Sequence, residues 1–268
     1  MIHIATVHFG TAQWVDVQLG YLRRTLSEPY LVWANLQNVA PGHESQFDRV
    51  VPAKGDHPGK LNLLAGEILA EARPTDVVIF LDGDAFPITD PMPTIRKGLD
   101  STSLVAVRRD ENDDCQPHPC FCAVEAGEWS KLHGDWSRAY GWVRGDSRVK
   151  ADVGGNLLRA LERSGREWTP LLRSNRVNVH PLWFAVYGDI VYHHGAGFRK
   201  PISRIDLNDR PPSPSRGRGH PVLGRLLRML DDISYRRWET RVATNAERMG
   251  EAMFDRLKSD PDFYRDLI

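Results

Sequence analysis

The chain has 268 residues, 41% hydrophobic and 26% charged, which is the composition of an ordinary globular protein with enough chain for one sizeable core. Thirty-five Lys and Arg balance 35 Asp and Glu, so no net positive field exists to hold nucleic acid. Met1-Ile2-His3-Ile4 lacks the basic and apolar stretches of a secretory signal, and no run of about 18 apolar residues would cross a bilayer. The expectation is a cytoplasmic protein.

In chain order, Ile2 to Phe9 reads as a buried first strand. Val15, Val17, Leu19, Leu22 and Leu26 fall near helical spacing from Trp14 to Leu26, and Pro29 follows as a stop. Tyr30 to Ala34 is a short strand, and Gly59 to Ala72 a second helix between Pro58 and Pro74. Asp76 to Leu81 is apolar on both faces, as in the centre of a parallel sheet. Further strands are expected at Leu104–Val107, Phe121–Val124, Val177–Val179 and Ile190–Tyr192, with helices at Glu128–Leu132 and Gly154–Ser164.

Alternating strands and helices predict an α/β fold, a single domain over 1–205 with a mostly parallel central sheet. Asp206 to Pro221 is rich in Pro, Gly, Ser and Arg and reads as a linker; residues 222–268 read as a helical C-terminal extension, with two helical stretches over Val222 to Leu257. Arg216, Arg218, Arg225, Arg228, Arg236 and Arg237 lie among leucines there. Such a basic amphipathic stretch suits either peripheral contact with an anionic membrane surface or packing on the catalytic domain or a second subunit, the latter being preferred.

The chemistry concentrates at Val77-Val-Ile-Phe-Leu-Asp82-Gly83-Asp84. Ligands of open α/β sheets bind beyond the carboxyl ends of the strands, which is where Asp82 and Asp84 fall. Gly83 lets the backbone turn between them. Two hard oxygen donors suit magnesium or manganese. A bare Asp-x-Asp is a common polar turn; the apolar strand before it gives it weight. This arrangement resembles the Asp-x-Asp motif of GT-A glycosyltransferases. Haloacid dehalogenase phosphatases also follow a strand with Asp-x-Asp, but Phe86 stands where they have Thr.

Over a hundred residues later comes Val191-Tyr192-His193-His194-Gly195-Ala196-Gly197-Phe198-Arg199-Lys200-Pro201. It is similar, out of perfect register, to the His-x-x-Gly-x-x-Lys-Pro pattern ending glycogenin-like GT-A domains. The resemblance implies a metal-ligand histidine, for which His194 is preferred over His193. It also implies backbone contacts to a diphosphate at Gly195 and Gly197, with Lys200 or Arg199 neutralising the leaving nucleoside diphosphate. It places nucleoside contacts at Thr6, Val7 and His8. Lys60, near the start of the second helix, is within reach of a phosphate, with a solvated helix-surface lysine as the alternative.

An inverting transfer needs a carboxylate base. Asp152, in Lys150-Ala-Asp-Val-Gly-Gly-Asn156, is the candidate, with helix N-capping as its structural alternative; Glu125, Glu128, Asp113 and Asp114 are weaker. Trp129 reads as acceptor-pocket wall or core, and Trp183-Phe184 as core. Cys115, Cys120 and Cys122, with His118 among them, fit zinc spacing poorly and are read as structural thiols.

The activity implied is transfer of a sugar from a nucleotide diphosphate donor, UDP-linked by preference, to a glycan, lipid-linked or small-molecule hydroxyl acceptor, with Mn2+ or Mg2+ as cofactor. Two alternatives stand beside it. A sugar-nucleotide nucleotidyltransferase calls for a Gly-rich loop after the first strand, where this chain has His8-Phe9-Gly10-Thr11. A non-catalytic nucleotide-sugar-binding protein would bind the donor without turnover.

Overall fold

A computed structural model describes residues 1–143, 149–180, 182–195 and 221–268, without the side chains of 221–229, 231, 232, 235 and 239. Two compact units are present: Met1–His193 together with Tyr264–Ile268, and His194–Phe263.

The strands of the first unit are β1 (Ile2–Phe9), β2 (Tyr30–Gln37), β3 (Arg49–Val50), β4 (Val77–Asp82), β5 (Ala85–Pro87), β6 (Leu104–Val107), β7 (His118–Glu125), β8 (Trp142–Val143), β9 (Val149–Lys150), β10 (Thr169–Leu171), β11 (Ala185–Tyr187) and β12 (Val191–His193). Its helices are α1 (Val15–Thr25), α2 (His57–Glu71), α3 (Met92–Leu99), α4 (Ala126–Leu132) and α5 (Gly155–Ser164). Seven strands form the main sheet in the order β10-β6-β7-β4-β1-β2-β3.

Helices cover both faces. Ile2 and Ile4 of β1 pack with Val15, Leu19 and Leu22 of α1 and Ile95 of α3 on one side. Ala5 and Val7 pack with Leu61, Leu64 and Ile68 of α2, Trp129 of α4 and Leu157 of α5 on the other. That two-sided burial explains why β1 and β4 read as unbroken apolar runs rather than alternating ones.

β1 is parallel to β2 and β4, β2 to β3, and β6 to β10. Only β7 runs against its neighbours in this sheet, β4 and β6. The chain between Val107 and His118 holds no α-helix, and a parallel neighbour needs a crossover of a dozen or more residues, usually helical. The mostly parallel α/β layout is as expected from the sequence.

Some local expectations are corrected. Val177–Val179 is not a strand; Val177 and Val179 are 55% and 37% exposed in an irregular segment. α3 went unread because Pro91 and Pro93 bracket its start and its eight residues give little periodicity. The C-terminal pair of helical stretches is one helix, α6 (Pro221–Ser259), beginning at the last residue assigned to the linker. Residues 206–220 lie outside the described ones, so Arg216 and Arg218 do too. No described helix is long and apolar enough to cross a membrane.

Candidate metal centre

β4 ends at Asp82, Gly83 and Asp84 turn the chain, and β5 leaves the main sheet to join β12 and β11 in an antiparallel sheet. The turn is tightly seated. A Cβ on Gly83 would stand 2.7 Å from Val7 O and 2.9 Å from His8 Nδ1, so no larger residue fits against the end of β1.

Gln18 fixes the same turn from beneath. Its Nε2 donates to Asp82 O and Ala85 O, both at 2.8 Å. Its Oε1 accepts from Thr6 Oγ1 at 2.9 Å and contacts His8 Nε2 at 3.1 Å. Every one of these groups is buried or nearly so, which makes Gln18 a clamp joining α1, β1 and the turn. Sequence reasoning missed it, although the signal was present: Gln18 is polar and sits on the apolar face set by Val15, Leu19 and Leu22.

The register of β12 on β5 pairs His193 with Ala85. This brings the imidazole to the Asp-Gly-Asp turn, with Nε2 3.7 Å from Asp82 Oδ2 and 3.6 Å from Asp84 Oδ1. One donor atom from each of Asp82, Asp84 and His193 lies within 4.8 Å of the others, the only such group among the described residues. Two carboxylates and an imidazole are a fitting donor set for a divalent cation, with the nitrogen favouring manganese over magnesium. The histidine brought to the group is thus His193. His194, preferred from the sequence, is buried but is not a member, because the strand pairing that delivers the ring ends at His193.

Two further histidines surround Asp82. His57, the first residue of α2, places Nε2 2.9 Å from Asp82 Oδ1. Asp56 caps that helix by accepting from Gly59 N at 3.2 Å, which fixes the orientation of its first turn. His118, at the start of β7, has its ring centroid 5.9 Å from that of His193. Burial pushes the Asp82 carboxyl upward, but the neighbouring imidazoles, His57 foremost, outweigh it and hold the group well below the usual carboxylate range. His57 had a readable signal, since a helix entered at the carboxyl pole of a sheet points its first turn at the ligand.

The other sequence candidates are placed as follows. Thr6, Val7 and His8 are buried, and the side chains of Thr6 and His8 engage Gln18. Lys60 is buried rather than solvated, its Nζ 4.8 Å from the ring centroid of Phe9, and burial lowers its pKa. Phe9 itself is 58% exposed at the end of β1. Gly195 takes the left-handed conformation at φ 75°; Gly197, Arg199 and Lys200 lie outside the described residues.

Asp152 is not the N-cap of α5. That position is Gly154, at φ 90°, where a Cβ would stand 2.2 Å from Pro117 O. Asp152 instead accepts from its neighbour Val153 N at 2.8 Å and pairs with Arg109 at 3.2 Å and Arg138 at 4.0 Å. Asp114 is bound by Arg109 at 2.5 Å and by Lys150. Glu125 pairs in register with Val77, at the opposite end of β4 from Asp82. Glu128 is tied to Ser103 and Arg166. These two line a cavity of about 450 Å³ whose walls contain no convergent metal donors. Trp129 is core, packed 4.8 Å from Phe80 and 5.5 Å from Trp136 between ring centroids. Trp183 and Phe184 are core as expected, and the three cysteines are free thiols.

No family model and no curated protein matches the sequence. Among solved structures the chain is similar to a mannosyltransferase from Pyrobaculum calidifontis, in complex with GDP-Man and Mn2+, at 12% identity and a TM-score of 0.45 over 66% of this chain and 58% of that one. It is also similar to the galactosyltransferase LgtC, at 11% identity and a TM-score of 0.45 over 75% and 90% of the two chains. A putative glucose-1-phosphate thymidylyltransferase from Bacillus anthracis is similar at 8% identity and a TM-score of 0.35 over 64% and 87%. The first of these matches spans less than two thirds of its counterpart's length.

Proposed function

We propose that this protein transfers a sugar from a nucleotide diphosphate donor, preferably UDP-linked, to a hydroxyl acceptor, using a divalent cation held by Asp82, Asp84 and His193. The observation that carries this reading is the convergence of those three donor atoms within 4.8 Å at the carboxyl end of β4. A manganese or magnesium ion held by these residues would supply positive charge that offsets the negative charge developing on the leaving nucleoside diphosphate.

The chain's own groups supply the rest. His57 holds Oδ1 of Asp82, leaving Oδ2 toward His193. Gln18 keeps the turn from relaxing when an anion approaches. Lys60 adds positive charge beside the exposed ring of Phe9, at the end of β1 where a nucleoside would lie. Asp152, paired with Arg109 and Arg138, is the carboxylate we assign to the acceptor side. The acceptor hydroxyl belongs to a glycan, a lipid-linked sugar or a small molecule.

The test is a thermal-shift screen of nucleotide sugars with manganese and with a chelator. At least one donor should raise the melting temperature only when the metal is present, and Asp84→Asn should abolish that rise. A screen in which no nucleotide sugar stabilises the protein in a metal-dependent manner sinks the proposal.

A further inference from the structure

His57 and His193 contact Asp82 and His118 stands beside His193, yet His118 differs from the other two in its bonding. It begins β7, and its Nδ1 accepts the backbone N–H of Cys120 at 3.1 Å. A neutral imidazole has one N–H and one lone pair. A ring whose Nδ1 lone pair is already engaged therefore carries its proton on Nε2.

The consequence is that Nε2 of His118 presents an N–H and no lone pair. It cannot ligate a cation, and it is not a member of the Asp82, Asp84 and His193 group. Its one hydrogen bond among the described residues is that of Nδ1, and it meets His193 through a tilted ring contact. The ring is 7% exposed, its Nδ1 is tied down by Cys120 N and its centroid stands 5.9 Å from that of His193, which leaves Nε2–H as a donor beside the metal-ligand group.

We propose that His118 donates its Nε2–H to a phosphate oxygen of the nucleoside diphosphate gripped at Asp82, Asp84 and His193. This rests on the metal-dependent reading above and extends it by a contact that recognises the anion without touching the cation. The pole carries two carboxylates, which repel a diphosphate unless the cation is present. A donor aimed beside them favours the oxyanion through a charge-assisted hydrogen bond. The pairing also explains why a histidine, and not a lysine, stands there: a fixed positive charge would compete with the cation for Asp82 and Asp84.

The experiment uses the full chain labelled with 15N-histidine, with UDP and GDP as probes. Long-range 15N–1H spectra should show His118 as the Nε2–H tautomer. Its Nε2 resonance should move when Mg2+ and nucleotide are added together and stay in place with Mg2+ alone. In titration calorimetry, His118→Leu should weaken the tighter of the two nucleotides about tenfold at saturating Mn2+ while leaving the affinity for Mn2+ alone unchanged. His118→Gln, which restores an N–H near the same point, should recover most of that loss. An Nδ1–H tautomer, an unmoved Nε2 resonance, or a loss of Mn2+ affinity in His118→Leu overturns the proposal and leaves the metal-dependent reading standing. A wild-type protein that binds neither Mn2+ nor nucleotide overturns both. The spectra need no variant, so a misfolded His118→Leu does not blunt the test.

Discussion

His57 Nε2 lies 2.9 Å from Asp82 Oδ1, so the first residue of α2 is fastened to the last residue of β4. A carboxylate held by one oxygen presents the other in a set direction, the usual way an outer partner tunes a ligand. His57→Ala should weaken Mn2+ binding about 10- to 100-fold. The unfolding free energy should hardly change, because the ring is partly exposed. Calorimetric titration with Mn2+ alongside denaturant unfolding separates the two effects.

Replacing Asp84 with Asn keeps the shape of the turn and removes one negative charge from the donor set. Turnover of whichever donor the screen identifies should fall at least about 100-fold. The melting temperature without metal should stay level or rise, since two adjacent carboxylates no longer repel. Equal activity in Asp84→Asn and wild type would contradict a role in holding the cation.

Gln18→Leu should act on folding and on the site at once. It leaves Asp82 O, Ala85 O, Thr6 Oγ1 and His8 Nε2 without their partner in a dry environment, a loss of about 3 kcal/mol. Urea unfolding measures that loss, and Mn2+ affinity should fall with it.

His8 carries a pH signature. Burial lowers its pKa from the ordinary imidazole value of 6.5 to about 4, against the opposing hydrogen bond with Gln18. The folded state thus keeps the ring neutral while the unfolded chain takes up a proton. The contribution is complete above the unfolded pKa and is lost as pH falls from there toward the folded value. His8 should account for about 2 kcal/mol of the stability lost between about pH 7.5 and about pH 5. Urea unfolding across that range for wild type and His8→Asn should show a shallower slope in the variant.

Glu125→Gln should leave turnover unchanged. Its strand position, opposite Val77, sets it a strand's length from Asp82. A large loss of activity with normal stability would mean that the reacting groups lie at the other end of the sheet.

The sheet and its metal turn were legible because their signal is local. The run Val77 to Leu81 shows both-face burial directly, and Asp82-Gly83-Asp84 follows it without a gap. The partners of Asp82 were not legible in the same way. His57 precedes it by 25 residues and His193 follows by 111, and only strand order and register bring them together. Choosing between His193 and His194 depended on the pairing of Val191–His193 with Ala85–Pro87, which a single sequence does not display. His118 was obscured by its cysteine neighbours, which drew attention to zinc spacing.

The reversal of β7 has a practical meaning for altering this protein. A parallel strand would open onto the metal pole through the loop that follows it, and Glu125 and α4 would then stand over the site. Running backward, β7 hands the pole the ten-residue segment between Val107 and His118, with Arg109 and Asp114 in it, and sends α4 to the far side. If the protein transfers sugars as proposed, that segment is the place to graft new acceptor preferences. Changes beyond Glu125 are insulated from the chemistry by the full length of the strand.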